Sequence, residues 1–222
     1  CSKHPFGINV RFNGGAQAAH TVVTPDGRRH VFRHFGAGTF TGIPTYLSEE
    51  FLVNIFSFSS ERRELVSRFR LNPNVYVNPN CRVTTIWDMY INQAVETMRG
   101  EARHGSCGMG INETVHRSKY EEYRITAMDL LSPERLAGKL VKIQNEYVPM
   151  RLKYKYHISV NDMPAKYKAL ILNSENINMT MFYAREFCNM VQIMGDFVLN
   201  KFEDVIFEGA QGLMLDQGYE KF

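Results

Sequence analysis

The sequence predicts an α/β protein: a mainly parallel central sheet flanked by helices, with one added β-hairpin. Three observations carry this expectation. Short apolar or β-branched runs recur along the chain and alternate with segments of helical apolar spacing. Strand-like runs near both ends deliver the chain into glycine turns, "INVRFNGG" and "DVIFEGAQG". Two further runs flank the turn signal "TPDGRR" closely enough to pair back on each other.

The elements follow in order. "INVRF" is a strand entering the Gly14-Gly15 turn, "HTVV" begins the hairpin and "HVFRHF" is its return arm. A helix is expected from Ser48, which can cap it, with apolar residues at Phe51, Leu52, Ile55 and Phe56, and Glu61 to Phe69 either extends it or forms a second segment. "NVYVNPNCRVTTIWD" reads as two strand pieces around Asn-Pro. Asp88 to Met98 has helical spacing and ends at Gly100, and "RHGSCGMGINET" is a loop. Asp129 to Tyr147 is a helix opened by "SPE", a serine cap followed by proline at the first helical position. A more variable helical region starts at Asp162, a long helix runs from about Met179 to Lys201, and "DVIFEGAQG" is a buried strand running into a turn.

Composition narrows the function classes. Apolar residues at 44% and charged residues at 22% suit an ordinary folded domain. A net charge of +3, with acidic and basic residues interspersed, gives no footprint for a nucleic-acid backbone. The densest basic run, "RLKYKYH" at Arg151–His157, reads as a solvated strand or loop, with phosphate contact as the alternative. Four cysteines without a Cys-x-x-Cys pair point away from zinc and disulfides and toward a reducing compartment. No apolar run is long enough to span a membrane. The chain opens without methionine at "CSKHPF" and stops at "LDQGYEKF", so the expectation is a single α/β domain over 1–222, cut from a longer protein at both ends.

Three turns bear chemistry-capable residues: "RFNGGAQAAHT", "HGSCGMGINET" and "IFEGAQG". In open α/β sheets, ligands gather outside the carboxyl ends of strands. If the three turns converge, they present His20, two glutamine amides, a serine and several backbone N–H groups. Singly, His20 reads as either a satisfied core histidine or an acid–base group, the 105–110 loop as either an anion nest or a chain reversal, and Glu208 and Gln211 as either turn partners or substrate contacts.

In their order and spacing, "VRFNGGAQAAHTVV", "GSCGMGINE" and "FEGAQGLMLD" resemble the successive signatures of the adenylosuccinate synthetase family. The resemblance implies a P-loop-like synthetase fold and a cytoplasmic homodimeric ligase that joins L-aspartate to IMP with GTP and Mg2+. The purine 6-oxygen is phosphorylated, and the aspartate amine then displaces phosphate. Members are roughly twice this length, so the family's phosphate loop, with its catalytic aspartate and lysine, and the segments binding the amino acid and the guanine base are expected outside this chain.

By the same resemblance His20 matches the catalytic general acid, and Gln211 the amide donating to the developing 6-oxyanion. Gln17, Ala18, Ala19 and His20 lie in the nucleotide-contacting segment, with the Ala19 main-chain carbonyl as a magnesium ligand. Ser106, Cys107 and Gly108 fall in the loop for the nucleotide 5′-phosphate. The family arginine reaching that phosphate from the partner chain has Glu121 at its position, with Arg117 and Arg124 nearby. Gln17 stands for a usual asparagine and Cys107 for a usual threonine. These departures keep open a 2-aminoadenylosuccinate synthetase acting on (d)GMP with ATP or GTP, and a missing phosphate loop would leave an inactive nucleotide-binding homologue as a further alternative.

Overall fold

The computed structural model describes residues 4–210. In chain order the strands are β1 (Gly7–Arg11), β2 (His20–Val23), β3 (Arg29–Phe32), β4 (Thr45–Leu47) and β5 (Leu52–Val53). They continue with β6 (Val75–Val77), β7 (Arg82–Val83), β8 (Gln192–Ile193) and β9 (Asp204–Glu208). The chain divides into two compact units, Cys1–Cys81 with Met190–Phe222, and Arg82–Asn189.

The first unit is built on a five-stranded sheet in the order β8-β6-β4-β1-β9. Each pairing in it is parallel. This is the α/β architecture expected from the alternation of strand and helix signals. β1 sits between β4 and β9 and is buried along its whole length. Ile8 and Val10 pack with Tyr46 and Val198 at the core, and Tyr76, Met194, Leu199 and Phe202 close around them. The two polar residues of β1 are tolerated because each is bonded. Asn9 donates to the Ile206 carbonyl at 3.2 Å and accepts from the Gly38 N–H at 3.1 Å. Gly36 is required beside it, since a Cβ there would lie 2.3 Å from Asn9 Oδ1.

β2 and β3 form the expected antiparallel hairpin, with His20 opposite Phe32 and Val23 opposite Arg29. Its tip is closed by Thr24 N–H to Arg28 O and Gly27 N–H to Thr24 O, both 2.9 Å. Helix α1 spans Ile55–Phe69 and is capped by Asn54, whose side chain accepts from the Ser57 N–H at 3.1 Å. The expected start at Ser48 is corrected. Ser48 lies beyond the end of β4 and donates its N–H to Arg11 O and its hydroxyl to Phe12 O, so its bonding serves the sheet.

Glu61 ties the hairpin to α1. Its carboxylate accepts the N–H groups of Arg33 at 2.8 Å and His34 at 2.9 Å, and faces His34 Nδ1 at 3.2 Å and His30 Nε2 at 3.6 Å. His34 Nε2 accepts from the Asn54 N–H at 3.2 Å, which assigns the ring proton to Nδ1. His30 Nδ1 also lies 3.5 Å from Glu64.

β9 corrects a second expectation. It alternates between exposed and half-buried residues, with Phe207 64% exposed, because it is the sheet's edge and not an interior strand. The long helix expected to Lys201 also ends early. Helix character stops at Met190, after which Gln192–Ile193 joins the sheet beside β6 and Asp196–Lys201 forms a 3-10 turn. Gly195, in extended conformation, separates the two.

The second unit is mostly helical. α2 (Ile86–Met98) opens with a Thr85–Asp88 capping box. Helix α3 is Ile111–Arg117, and its last residue is fully buried, bonding Asp88, the Tyr123 carbonyl and the Val83 carbonyl. α4 (Pro133–Lys142) begins with the expected proline, although the Ser132 hydroxyl makes no capping bond and Ala127–Leu131 is a separate 3-10 turn. The helix then runs past Tyr147 through α5 (Val148–Arg151) to Tyr156, with π turns at Ile143–Tyr147 and Leu152–Tyr156. Pro149 explains the first widening, because its ring crowds the carbonyl four residues back and it has no N–H to give.

The "RLKYKYH" run is therefore helical, not a strand or loop. Arg151 turns inward to Glu113 at 2.7 Å and Tyr156 donates to the same carboxylate, while Lys153, Tyr154 and Lys155 stay exposed. Helices α6 (Ala165–Leu172) and α7 (Glu175–Met190) follow. Trp87 is buried on α2 and donates its indole N–H to the Ile171 carbonyl at 3.2 Å. No helix among the described residues is long and apolar enough to cross a membrane.

Burial raises the Glu61 carboxyl, but its contacts with His30 and His34 and the Arg33 N–H outweigh this and bring it from an ordinary 4.5 down to about 2. A carboxylate with a depressed folded-state value contributes stability above its unfolded value and loses it as pH falls toward the folded one. Urea unfolding should therefore show stability falling between pH 4.5 and about 2, and Glu61→Gln should flatten that fall.

Candidate active site

The carboxyl ends of β1 and β9 carry the site-bearing turns of the first unit. Arg11 and Glu208 are the last residues of these neighbouring strands and are in register. Beyond them the two turns meet directly: the Asn13 side chain accepts from the Ala210 N–H at 2.8 Å. Gly14, at φ 77°, passes so close that a Cβ on it would sit 2.5 Å from the Ala210 Cβ. The first turn thus needs glycine both for its left-handed conformation and for this approach.

Arg11 is fully buried. Its Nη2 donates to the Ala18 carbonyl at 2.9 Å, its Nη1 to the Phe35 carbonyl at 3.5 Å, and Nη1 lies 3.3 Å from Glu208 Oε1. Burial lowers the guanidinium below its ordinary value, while Glu208 and Glu61 push it back, and it remains charged. Glu208 also accepts the Ala37 N–H through Oε2 at 2.8 Å.

His20, at the start of β2, completes the cluster. Its Nδ1 lies 2.6 Å from Glu208 Oε1, and its side chain is 31% exposed. This close contact puts the Nδ1 edge of the ring beside the carboxylate. Between Arg11 and His20 the chain alternates: Ala18 is buried over Arg11, while Gln17 and Ala19 are exposed. The Ala16 carbonyl accepts from Arg33 Nη1 at 3.3 Å.

No group of three or more His, Cys, Asp or Glu able to hold a metal occurs among the described residues. Ala19 is exposed and precedes His20, and a main-chain carbonyl there suits a single ligand to magnesium, which takes most of its oxygens from water and phosphate. The residues present fit the ion through that one main-chain ligand.

In the second unit, Ser106 and Cys107 are exposed and Gly108 is buried. The Ser106 hydroxyl donates to Asn92 Oδ1 at 2.9 Å, its N–H donates to Glu96 at 3.2 Å, and Gln93 donates to the Gly108 carbonyl at 3.1 Å. Desolvation raises the Glu96 carboxyl, but the Ser106 N–H and Arg99 hold it below its ordinary value. Glu96 therefore occupies one of the loop's backbone donors. Arg117 is committed to Asp88 and two carbonyls, whereas Arg124 is exposed.

The structure thus brings His20 to the last strand's end, with Gln17, Ala18 and Ala19 on the intervening loop. Gln211 lies outside the described residues. Sequence reading missed Arg11 as the hub. A charged residue closing the "INVR" strand was the available signal.

The family model described as adenylosuccinate synthetase matches residues 3–222. The chain belongs to the adenylosuccinate synthetase family. It is 28% identical over 214 residues to adenylosuccinate synthetase of Teredinibacter turnerae, covering 93% of this chain and 46% of that one. The Neisseria gonorrhoeae synthetase is 28% identical over 213 residues, with coverages of 95% and 47%. Among solved structures, the fully ligated adenylosuccinate synthetase of Plasmodium falciparum matches with a TM-score of 0.65 at 19% identity, covering 98% of this chain and 48% of that one. That likeness establishes the shared synthetase fold. The chain spans about half the length of the curated relatives it matches.

Arg11→Met should leave Glu208 with an uncompensated charge in a dry setting. A loss of about 3 kcal/mol in urea-derived stability is expected, as for other broken buried pairs.

Proposed function

We propose that this chain works within an adenylosuccinate synthetase, a carbon–nitrogen ligase joining L-aspartate to the 6-position of IMP with GTP hydrolysis. The observation that carries the reading is the His20–Glu208 contact at the junction of the first and third turns, in a chain of this family. On this reading both units serve one catalytic domain of a cytoplasmic homodimer.

The chemical obstacle is that an amide oxygen is a poor nucleophile and a poor leaving group. Phosphorylation at the 6-oxygen solves the second problem, after which the aspartate amine adds at C6 and phosphate departs. His20, with Nδ1 held on Glu208, presents Nε2–H in its protonated form to the phosphates as charge develops there. Gln211 donates its amide to the 6-oxyanion. Gln17 and Ala18 line the nucleotide segment, and Ser106, Cys107 and Gly108 supply donors to the 5′-phosphate once Glu96 yields. Magnesium, ligated in part by the Ala19 carbonyl, supplies neutralisation of the triphosphate when bound.

Gln17 and Cys107 both differ from the usual residues of the resemblance and are both exposed. They favour, as a second reading, a 2-aminoadenylosuccinate synthetase acting on GMP or dGMP.

Phosphate release by the protein at its natural length, measured in parallel with IMP, GMP and dGMP plus aspartate and GTP or ATP, separates the readings. IMP-dependent release is expected. Release only with the 2-amino nucleotides selects the second reading, and release with none of them rejects both. His20→Ala should lower turnover by roughly 10²- to 10⁴-fold while changing thermal stability little.

A further inference from the structure

Outside the described site, the first unit holds a buried cluster of titratable groups in which Glu61 meets His30 and His34. It lies behind the hairpin that delivers His20. We infer that Glu61 and Arg33 are positioning residues for the Gln17–His20 segment.

Two mechanical routes run from Glu61 to that segment. In the first, Glu61 fixes the backbone of Arg33 and His34 through N–H bonds of 2.8 and 2.9 Å, and Arg33 then reaches across to the Ala16 carbonyl at 3.3 Å. The bond from Arg33 falls one residue before Gln17. The opposite side of the same loop is held by Arg11 on the Ala18 carbonyl at 2.9 Å. Two guanidiniums therefore grip alternate carbonyls, and the intervening Gln17 and the following Ala19 are the residues turned to solvent.

The second route is the hairpin. Glu61 faces His30 within β3 and His34 just after it, and β3 sets the register of β2, with His20 opposite Phe32. The aromatic packing reinforces the clamp: His30 meets Phe32 and Phe69, and His34 meets Phe51 and Phe58, all edge-on. A buried carboxylate with this many partners over-determines one backbone path. His20 at the hairpin's base inherits that path and so meets Glu208 at 2.6 Å. Catalytic geometry is sensitive to displacements on the order of an ångström, which makes such remote support consequential.

The catalytic half of this inference rests on the proposed role of His20, and the geometric half does not. The experiment reads them separately. Amide hydrogen exchange of Arg33→Met, an exposed position that should fold, is expected to accelerate at least about tenfold over Ala18–His20, with β1 and β4 unchanged. Glu61→Gln should do the same and add β3; if it fails to fold, Arg33→Met carries the test. Unchanged exchange over Ala18–His20, or a uniform rise across β1 and β4, overturns the inference. In turnover, Arg33→Met should lower kcat about tenfold, Arg33→Lys should restore part of it, and the loss should vanish in a His20→Ala background. An additive loss in that background overturns the coupling to His20. Accelerated exchange in a protein that turns over no purine nucleotide supports the positioning role and counts against the functional reading alone.

Discussion

The buried pairing of Arg11 with Glu208 organises the first unit. An arginine buried at the carboxyl end of β1 is costly to desolvate, and both terminal nitrogens of its guanidinium are answered. The carboxylate answers it from the adjacent strand, the Ala18 and Phe35 carbonyls from the loops, and the Phe51 ring from its face at 5.5 Å. Glu208 in turn is shared with His20 and the Ala37 N–H. One ion pair therefore fixes the ends of β1 and β9, the loop between β1 and β2, and the first residue of the hairpin.

This arrangement also explains how a sheet can carry chemistry at its margin. Parallel strands leave their carboxyl ends as a row of chain exits, and turns from β1 and β9 emerge side by side there. Asn13 and Ala210 stitch the two exits, and Gly14 allows them to approach. The polar groups are placed by backbone register before any side chain chooses a rotamer, so the imidazole's orientation follows from fold topology.

Much of this was legible in the sequence because local rules and tertiary context agreed. The "TPDGRR" turn, the "INVRF" strand and the Asn-Pro break between β6 and β7 all formed where turn chemistry and β-branched runs indicated. Misreadings arose where a local signal had a stronger distant competitor. Ser48 is a good cap residue, but the Arg11 and Phe12 carbonyls claimed its donors. "RLKYKYH" alternates like a strand, yet Arg151 had a buried carboxylate to meet and the chain stayed helical. The spacing after Met179 stays apolar past Met190, but an open sheet edge beside β6 captured Gln192–Ile193. At the site, the motif residues were visible, whereas Arg11, Arg33 and Glu61 acquire their meaning only from partners far away in the chain.

The hairpin offers a practical handle. Its base is anchored by the clamps described, but its tip at Asp26-Gly27 is exposed, and a Cβ on Gly27 would meet nothing within 4 Å. A fluorophore or short peptide tag grafted there would ride on a stiff lever whose far end is the imidazole. Such a reporter could follow ligand arrival optically while leaving the chemistry at the other end of the ribbon undisturbed.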